Sequence, residues 1–170
     1  MADVLANVDL SLDVALPLEE AEIERICELV LAEEGVERPC FVSVSTVDEE
    51  RMHELNLEWR EQDKATDVLS LECERPDDPS LAPGEPCELG DIVLAPSYIE
   101  RQAQGFGTTF ADECRLLLVH GLLHLLGYDH LEDDEAEEME AREDALLDLI
   151  ATDNDLGGIT FTRHAGEAHP

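Results

Sequence analysis

Three of the six histidines fall within eleven residues, in "HGLLHLLGYDH" (120–130), and there the sequence offers chemistry. His120 and His124 are four apart, so on a helix both imidazoles project from one face and can share a metal ion. Gly127 stands where such a helix should end. A glycine there adopts the left-handed conformation that turns the chain back, which lets His130 approach from the side. Three neutral imidazoles suit zinc, with nickel, copper or iron as other options, and they leave a position open for water, as catalytic zinc sites do. Asp129 is a candidate to orient one ligand from behind.

The same spacing fits the metzincin peptidase pattern H-E-x-x-H-x-x-G-x-x-H, except that Gly121 stands where the general-base glutamate belongs. Without that carboxylate, peptide hydrolysis is the weaker reading. RNA cleavage tolerates the loss better, because the 2′-hydroxyl is an internal nucleophile and the protein's main task is to stabilise charge on the phosphate. A guanidinium suits that task. The segment "NLEWREQDKATDVLSL" (56–71) carries Arg60 and Lys64, the latter the only lysine. With 43 acidic residues against 10 Lys and Arg, and a net charge of -33, cations are scarce. Arg60 and Lys64, just ahead of a strand, are therefore the candidate phosphate contacts.

These residues must be positioned by a fold. A chain of 170 residues, 44% of them hydrophobic, is long and apolar enough for one globular domain with a buried core. Its charge argues against a general nucleic-acid coat and against binding to anionic membranes. The longest apolar run, 116–126, is interrupted by His120 and His124 and reads as a buried helix, not a membrane span. The five cysteines stand singly and the opening "MADVLANVDL" lacks the plan of a signal peptide, so a reducing, cytoplasmic setting with buried thiols is expected.

Periodicity and punctuation alternate strand and helix. A strand is expected within 4–16; Pro17 then opens a helix in which Ile23, Ile26, Cys27, Val30 and Leu31 share a face, up to Gly35. "CFVSVST" is a strand. Asp48 caps a short helix with Met52, Leu55 and Trp59 on one face. "TDVLSLE" and "LGDIVLA" are strands, separated by an exposed, proline-rich loop (74–88) that is either mobile or serves a site. Pro96 opens a helix closed by Gly105, and Thr109 with Asp112 starts the histidine helix. The last helix begins near Leu131 and turns Ala136, Met139, Leu146, Leu149 and Ile150 inward, leaving the acidic run "EDDEAEEME" solvated. The domain is expected to span 1–155, followed by a flexible tail, 156–170, with His164 and His169.

The histidine block followed by "LEDDEAEEMEA" resembles the signature of the bacterial rRNA-maturation endoribonucleases called YbeY. "LNLEWREQDKATDVLSL" is similar to the segment bearing that family's functional arginine, and "LGDIVLA" to its sheet strand, so the likeness runs from about Cys40 to Asp155. The chain departs from the family in having Arg60-Glu61 for the common Arg-Gly, and Ala65 and Leu71 where Pro and Phe are frequent. The resemblance implies an α+β domain in which a small mixed sheet of about four strands packs with about five helices. It further implies a single zinc ion held by His120, His124 and His130, and Arg60 as the catalytic or RNA-contacting arginine. The activity implied is single-strand-specific cleavage in 16S rRNA 3′ end maturation and ribosome quality control. The partners are then rRNA and the small ribosomal subunit, with no membrane and no DNA. A zinc-stabilised ribosome-associated binding module without catalysis and a metzincin-like peptidase are the alternatives. The acidity lies outside what the resemblance implies and reads as adaptation to a salty cytoplasm, in which screening silences carboxylate repulsion; melting temperature should then rise with added KCl.

Overall fold

Four short segments pair into one mixed sheet of order β1-β2-β4-β3 in the computed structural model, which describes residues 4–128 and 132–157. The strands are β1 (Ala6–Leu12), β2 (Cys40–Thr46), β3 (Val68–Glu72) and β4 (Cys87–Leu94), and the helices are α1 (Glu20–Glu33), α2 (Glu49–Arg60), α3 (Pro96–Phe106), α4 (Phe110–Leu125) and α5 (Asp133–Thr152). A 3-10 turn, Asn154–Leu156, follows α5. β1 and β2 are parallel, as are β2 and β4, while β3 runs antiparallel to β4 at the sheet edge. Parallel neighbours need a crossover, which α1 supplies for the first pair and the α2–β3 segment for the second. The α+β class, with four strands and five helices, is as the sequence implied.

Residues whose spacing marked α1 as a helix, Ile23, Ile26, Cys27, Val30 and Leu31, are all fully buried. The central element is α4, where Cys114, Leu117, Leu118, Val119, Gly121, Leu122, Leu123 and Leu125 are buried around nearly the whole circumference. A helix apolar on all sides belongs inside a fold, and α4 lies against β3 and β4 with α1, α3 and α5 packed around it. On the other sheet face α2 places Met52 against Leu69, Val93 and Ala95 in a smaller cluster. Asp48 and Thr109 cap as expected: the Asp48 side chain accepts from the Arg51 amide at 2.8 Å and the Thr109 hydroxyl from the Asp112 amide at 3.1 Å.

Several boundaries differ from expectation. α1 begins at Glu20 and not at Pro17, since Pro17 and Leu18 form a bend that buries Leu18 before the chain enters the helix at Glu19. α3 continues through Gly105 to Phe106, because Gly107 is the residue that takes the left-handed cap (φ 74°). In α5 Leu147 is buried, whereas Ala136 and Leu149 are only half-buried. The proline-rich loop between β3 and β4 is braced: Arg38 donates to the carbonyls of Ala82 (3.0 Å) and Glu85 (2.8 Å), and Leu81 packs on the main core. Among the described residues no helix is long and apolar enough to cross a membrane. Of the expected tail, 156–170, Leu156 ends the 3-10 turn and packs on the main core. His130, Asp129, Leu131 and the rest of that tail from 158 on, with His164 and His169, lie outside the described residues.

Candidate metal centre and its arginine

His120 and His124 meet as the four-residue spacing requires: their Nε2 atoms stand 3.0 Å apart, with ring centroids at 4.5 Å and planes crossing at 81°. Each ring is held from behind. His124 Nδ1 lies 3.0 Å from the Tyr128 carbonyl oxygen, and His120 Nδ1 is hydrogen-bonded to the Glu143 carboxylate. A carbonyl only accepts, so His124 Nδ1 carries the proton and, in the neutral ring, Nε2 carries the lone pair; a carboxylate behind His120 favours the same tautomer. Two lone pairs at this separation repel unless a cation lies between them. A hydrogen-bond acceptor behind each imidazole is also what fixes metal-binding histidines, and carboxylate–histidine pairs are a common form of it. The donor set therefore fits a divalent metal.

The turn after α4 builds half of this arrangement. The Gly127 amide donates to the His124 carbonyl and the Tyr128 amide to the Leu123 carbonyl, both at 3.0 Å, the bond pair of a glycine-terminated helix end. Gly127 sits at φ 110°, a conformation other residues rarely adopt. The reversal brings the Tyr128 carbonyl under His124. The Tyr128 phenol in turn donates to Glu34 Oε1 at 2.6 Å, and Glu34 also pairs with Arg142 of α5. Burial first, and then the Glu34 hydrogen bond, push the phenol up to about 12, so it remains a donor across the neutral range. The return of the chain after Gly127 is as expected, but His130 and Asp129 lie outside the described residues. Among the described residues no cluster of three metal-ligating side chains occurs.

Glu143 was not singled out by sequence. Its signal was nonetheless present, for it falls on the same helical stripe as the buried Met139, Leu146, Leu147 and Ile150. A carboxylate in an apolar stripe needs a partner, and His120 is that partner.

Gly121 explains why the metzincin glutamate has no place here. A Cβ at this position would lie 3.2 Å from Ser70 Oγ and 3.2 Å from Ile92 Cγ2, so α4 presses directly on β3 and β4. A glutamate would have to push the helix off the sheet, and the peptidase reading loses its general base for a packing reason. The contact also ties the second constellation to the first: Arg60, the last residue of α2, donates through Nη2 to the Ser70 carbonyl, on the strand that Gly121 touches beside His120. Arg25, Arg51, Arg75, Arg101, Arg115 and Arg142 each pair with a carboxylate. Arg60 holds a backbone carbonyl instead. Lys64 occupies the exposed turn beyond α2, where its carbonyl accepts from Asn56 Nδ2 at 2.9 Å. Sequence reasoning also passed over Arg75, whose guanidinium lies against Gly127.

A helix-borne histidine pair, each ring locked from behind, over a small mixed sheet with an arginine at its edge strand defines a metal-binding α+β protein. The family model described as Endoribonuclease YbeY matches residues 7–151, and the chain belongs to that family. Similar proteins include the Endoribonuclease YbeY of Paramagnetospirillum magneticum, 40% identical over 146 residues, covering 84% of this chain and 88% of that one. That of Stutzerimonas stutzeri is 44% identical over 127 residues, covering 75% and 76%. A solution structure from Thermotoga maritima superposes with a TM-score of 0.58 at 28% identity, covering 85% of this chain and 89% of the other.

Proposed function

We propose that this protein is a metal-dependent endoribonuclease that cuts single-stranded RNA during rRNA processing. The observation that carries the reading is the convergence of the His120 and His124 Nε2 atoms, each ring backed by an acceptor, next to the strand that Arg60 holds. The metal is zinc, with His130 as the third ligand, and imidazole nitrogens suit it. Bound there, the ion would supply a Lewis acid for a phosphoryl oxygen and an acidified water. Glu143 keeps the proton on His120 Nδ1 and the Tyr128 carbonyl keeps it on His124 Nδ1, so both Nε2 atoms face the ligand side. Arg60 engages Ser70 through one nitrogen, and the rest of its planar fork is left for phosphodiester oxygens. Lys64 adds a charge to substrate binding. Family membership supports an RNA substrate, and the resemblance supports 16S rRNA 3′ end maturation on the small ribosomal subunit, in the cytoplasm, with no part for DNA.

The test compares single-stranded RNA with the same sequence in a duplex, using zinc-loaded protein. Cleavage of the single strand, abolished by a chelator and restored by zinc, is expected. Failure of the zinc-loaded protein to cut either RNA would overturn the reading.

A further inference from the structure

The apolar stripe of α2 loses its cover along its length. Met52 is 0% exposed, Leu55 is half-buried, and Trp59, one further turn along the same stripe, is 56% exposed. The shared face of Met52, Leu55 and Trp59 is as expected, but its C-terminal end projects past the cluster of Leu69, Val93 and Ala95 that receives Met52. The uncovered end is the one that carries Arg60, whose guanidinium is fixed on β3. We infer that Trp59 is a nucleobase-stacking residue, holding one unpaired base of the RNA on its indole while Arg60 takes the adjacent phosphate. This inference rests on the RNA reading above.

Three features favour a base over another occupant. Leu57, 49% exposed, is the other large apolar side chain uncovered on α2. It stands two residues away, on nearly the opposite side of the helix, so the two do not form the contiguous apolar patch a protein partner would cover. The surroundings are mixed in charge. Glu58 and Glu61, one and two residues from Trp59 in the chain, are exposed, and Asp63 is engaged by His53 Nε2 at 2.6 Å. An uncharged flat ring is compatible with these carboxylates, whereas a second anionic group on the indole is not. Finally, the chain beyond the helix is fastened: Asn56 Nδ2 donates to the Lys64 carbonyl and the Gln62 amide to the Asn56 carbonyl at 3.2 Å, so the helix end that carries the ring is followed by a fixed turn. A base in a duplex has both faces stacked, and the indole therefore selects for single strands.

Trp59 is the only tryptophan in the chain, so its fluorescence reports the contact without labelling. The probe is a single-stranded 2′-O-methyl oligoribonucleotide, which cannot be cut through its 2′-oxygen, titrated into the zinc-loaded full chain. Saturable quenching by the single strand and none by its duplex is expected. Trp59→Ala should raise KM for single-stranded RNA about tenfold or more with kcat little changed, while Trp59→Phe keeps most of the affinity. Trp59→Leu keeps apolar bulk without a flat ring and should behave like Trp59→Ala, which separates stacking from packing should the alanine variant fold poorly. RNA cleavage with an unquenched indole, or with an unchanged KM in Trp59→Leu, would overturn the stacking role and leave the endoribonuclease reading standing. Absence of both RNA binding and cleavage by the wild type would overturn the two together.

Discussion

The histidine helix and the α2–β3 corner, joined in the proposed function, are built by opposite means. His120 and His124 stand on the most buried helix, and each ring is oriented by a group from another segment: Glu143 of α5 and the carbonyl of Tyr128, itself pinned through Glu34 to α1. Arg60 stands at the exposed end of a helix with a single described hydrogen bond, and the next residue, Glu61, is the one non-glycine among the described residues with a positive φ, at 58°. The contrast matches the proposed role of each end. Metal ligands need fixed lone pairs, which only a surrounding scaffold enforces. A phosphate-binding arginine needs an accessible fork, and pairing it with a carboxylate, as the other paired arginines are, would consume it.

The comparison is broken most directly at Arg60. Arg60→Lys keeps the charge but loses the planar fork, so kcat/KM for RNA should fall by about 100-fold or more, with little change in melting temperature because the residue is exposed. Wild-type cleavage by this variant would show that the corner plays no catalytic part.

Next in size is Glu143→Gln. It preserves shape and an acceptor oxygen but removes the carboxylate behind His120, and zinc affinity should drop by about 10- to 100-fold, measured by competition with a chromophoric chelator. An unchanged affinity would mean that the half-buried Glu143 carboxylate supports folding alone.

A smaller effect is expected at Glu61. Left-handed backbone is unfavourable for a side chain with a Cβ, so Glu61→Gly should stabilise the fold by about 0.5–1 kcal/mol in denaturant titration, and it also removes a negative charge beside Arg60. A loss of stability would contradict the strain assigned there.

The smallest effect lies away from both regions, where Arg25 holds Asp153 through hydrogen bonds of 2.9 and 3.0 Å and ties α1 to the end of α5. The Arg25 hydrogen bond holds the Asp153 carboxyl below its ordinary value of 3.8. Its contribution to stability is thus present above that value and is lost as pH falls through the lower, folded one. Asp153→Asn should lower the melting temperature slightly at pH 7, with the difference closing at strongly acid pH and zinc binding unchanged. A difference that persisted at low pH would assign the effect to packing.

Local physics made much of this readable in the sequence. The buried stripe of α1, strand β2, the caps at Asp48 and Thr109 and the turn at Gly127 each follow from residues within a few positions of one another, and all stand where expected. The partners of the histidines were not readable in the same way. Glu143 is 23 residues from His120 and meets it only because α5 packs on α4. Trp59 was placed on one face with Met52 and Leu55, and its exposure was not readable because periodicity reports a stripe and not where the opposing surface ends. Gly105 was read as the stop of α3, whereas the helix takes its left-handed cap at Gly107, two residues on.

Zinc stoichiometry in the purified protein tests the central assignment most directly. About one zinc per chain is expected for the wild type, and near none for the His120→Ala/His124→Ala double variant with a retained circular dichroism spectrum, since the two facing Nε2 atoms are the core of the chelate. Equal zinc in both proteins would contradict the proposed metal centre.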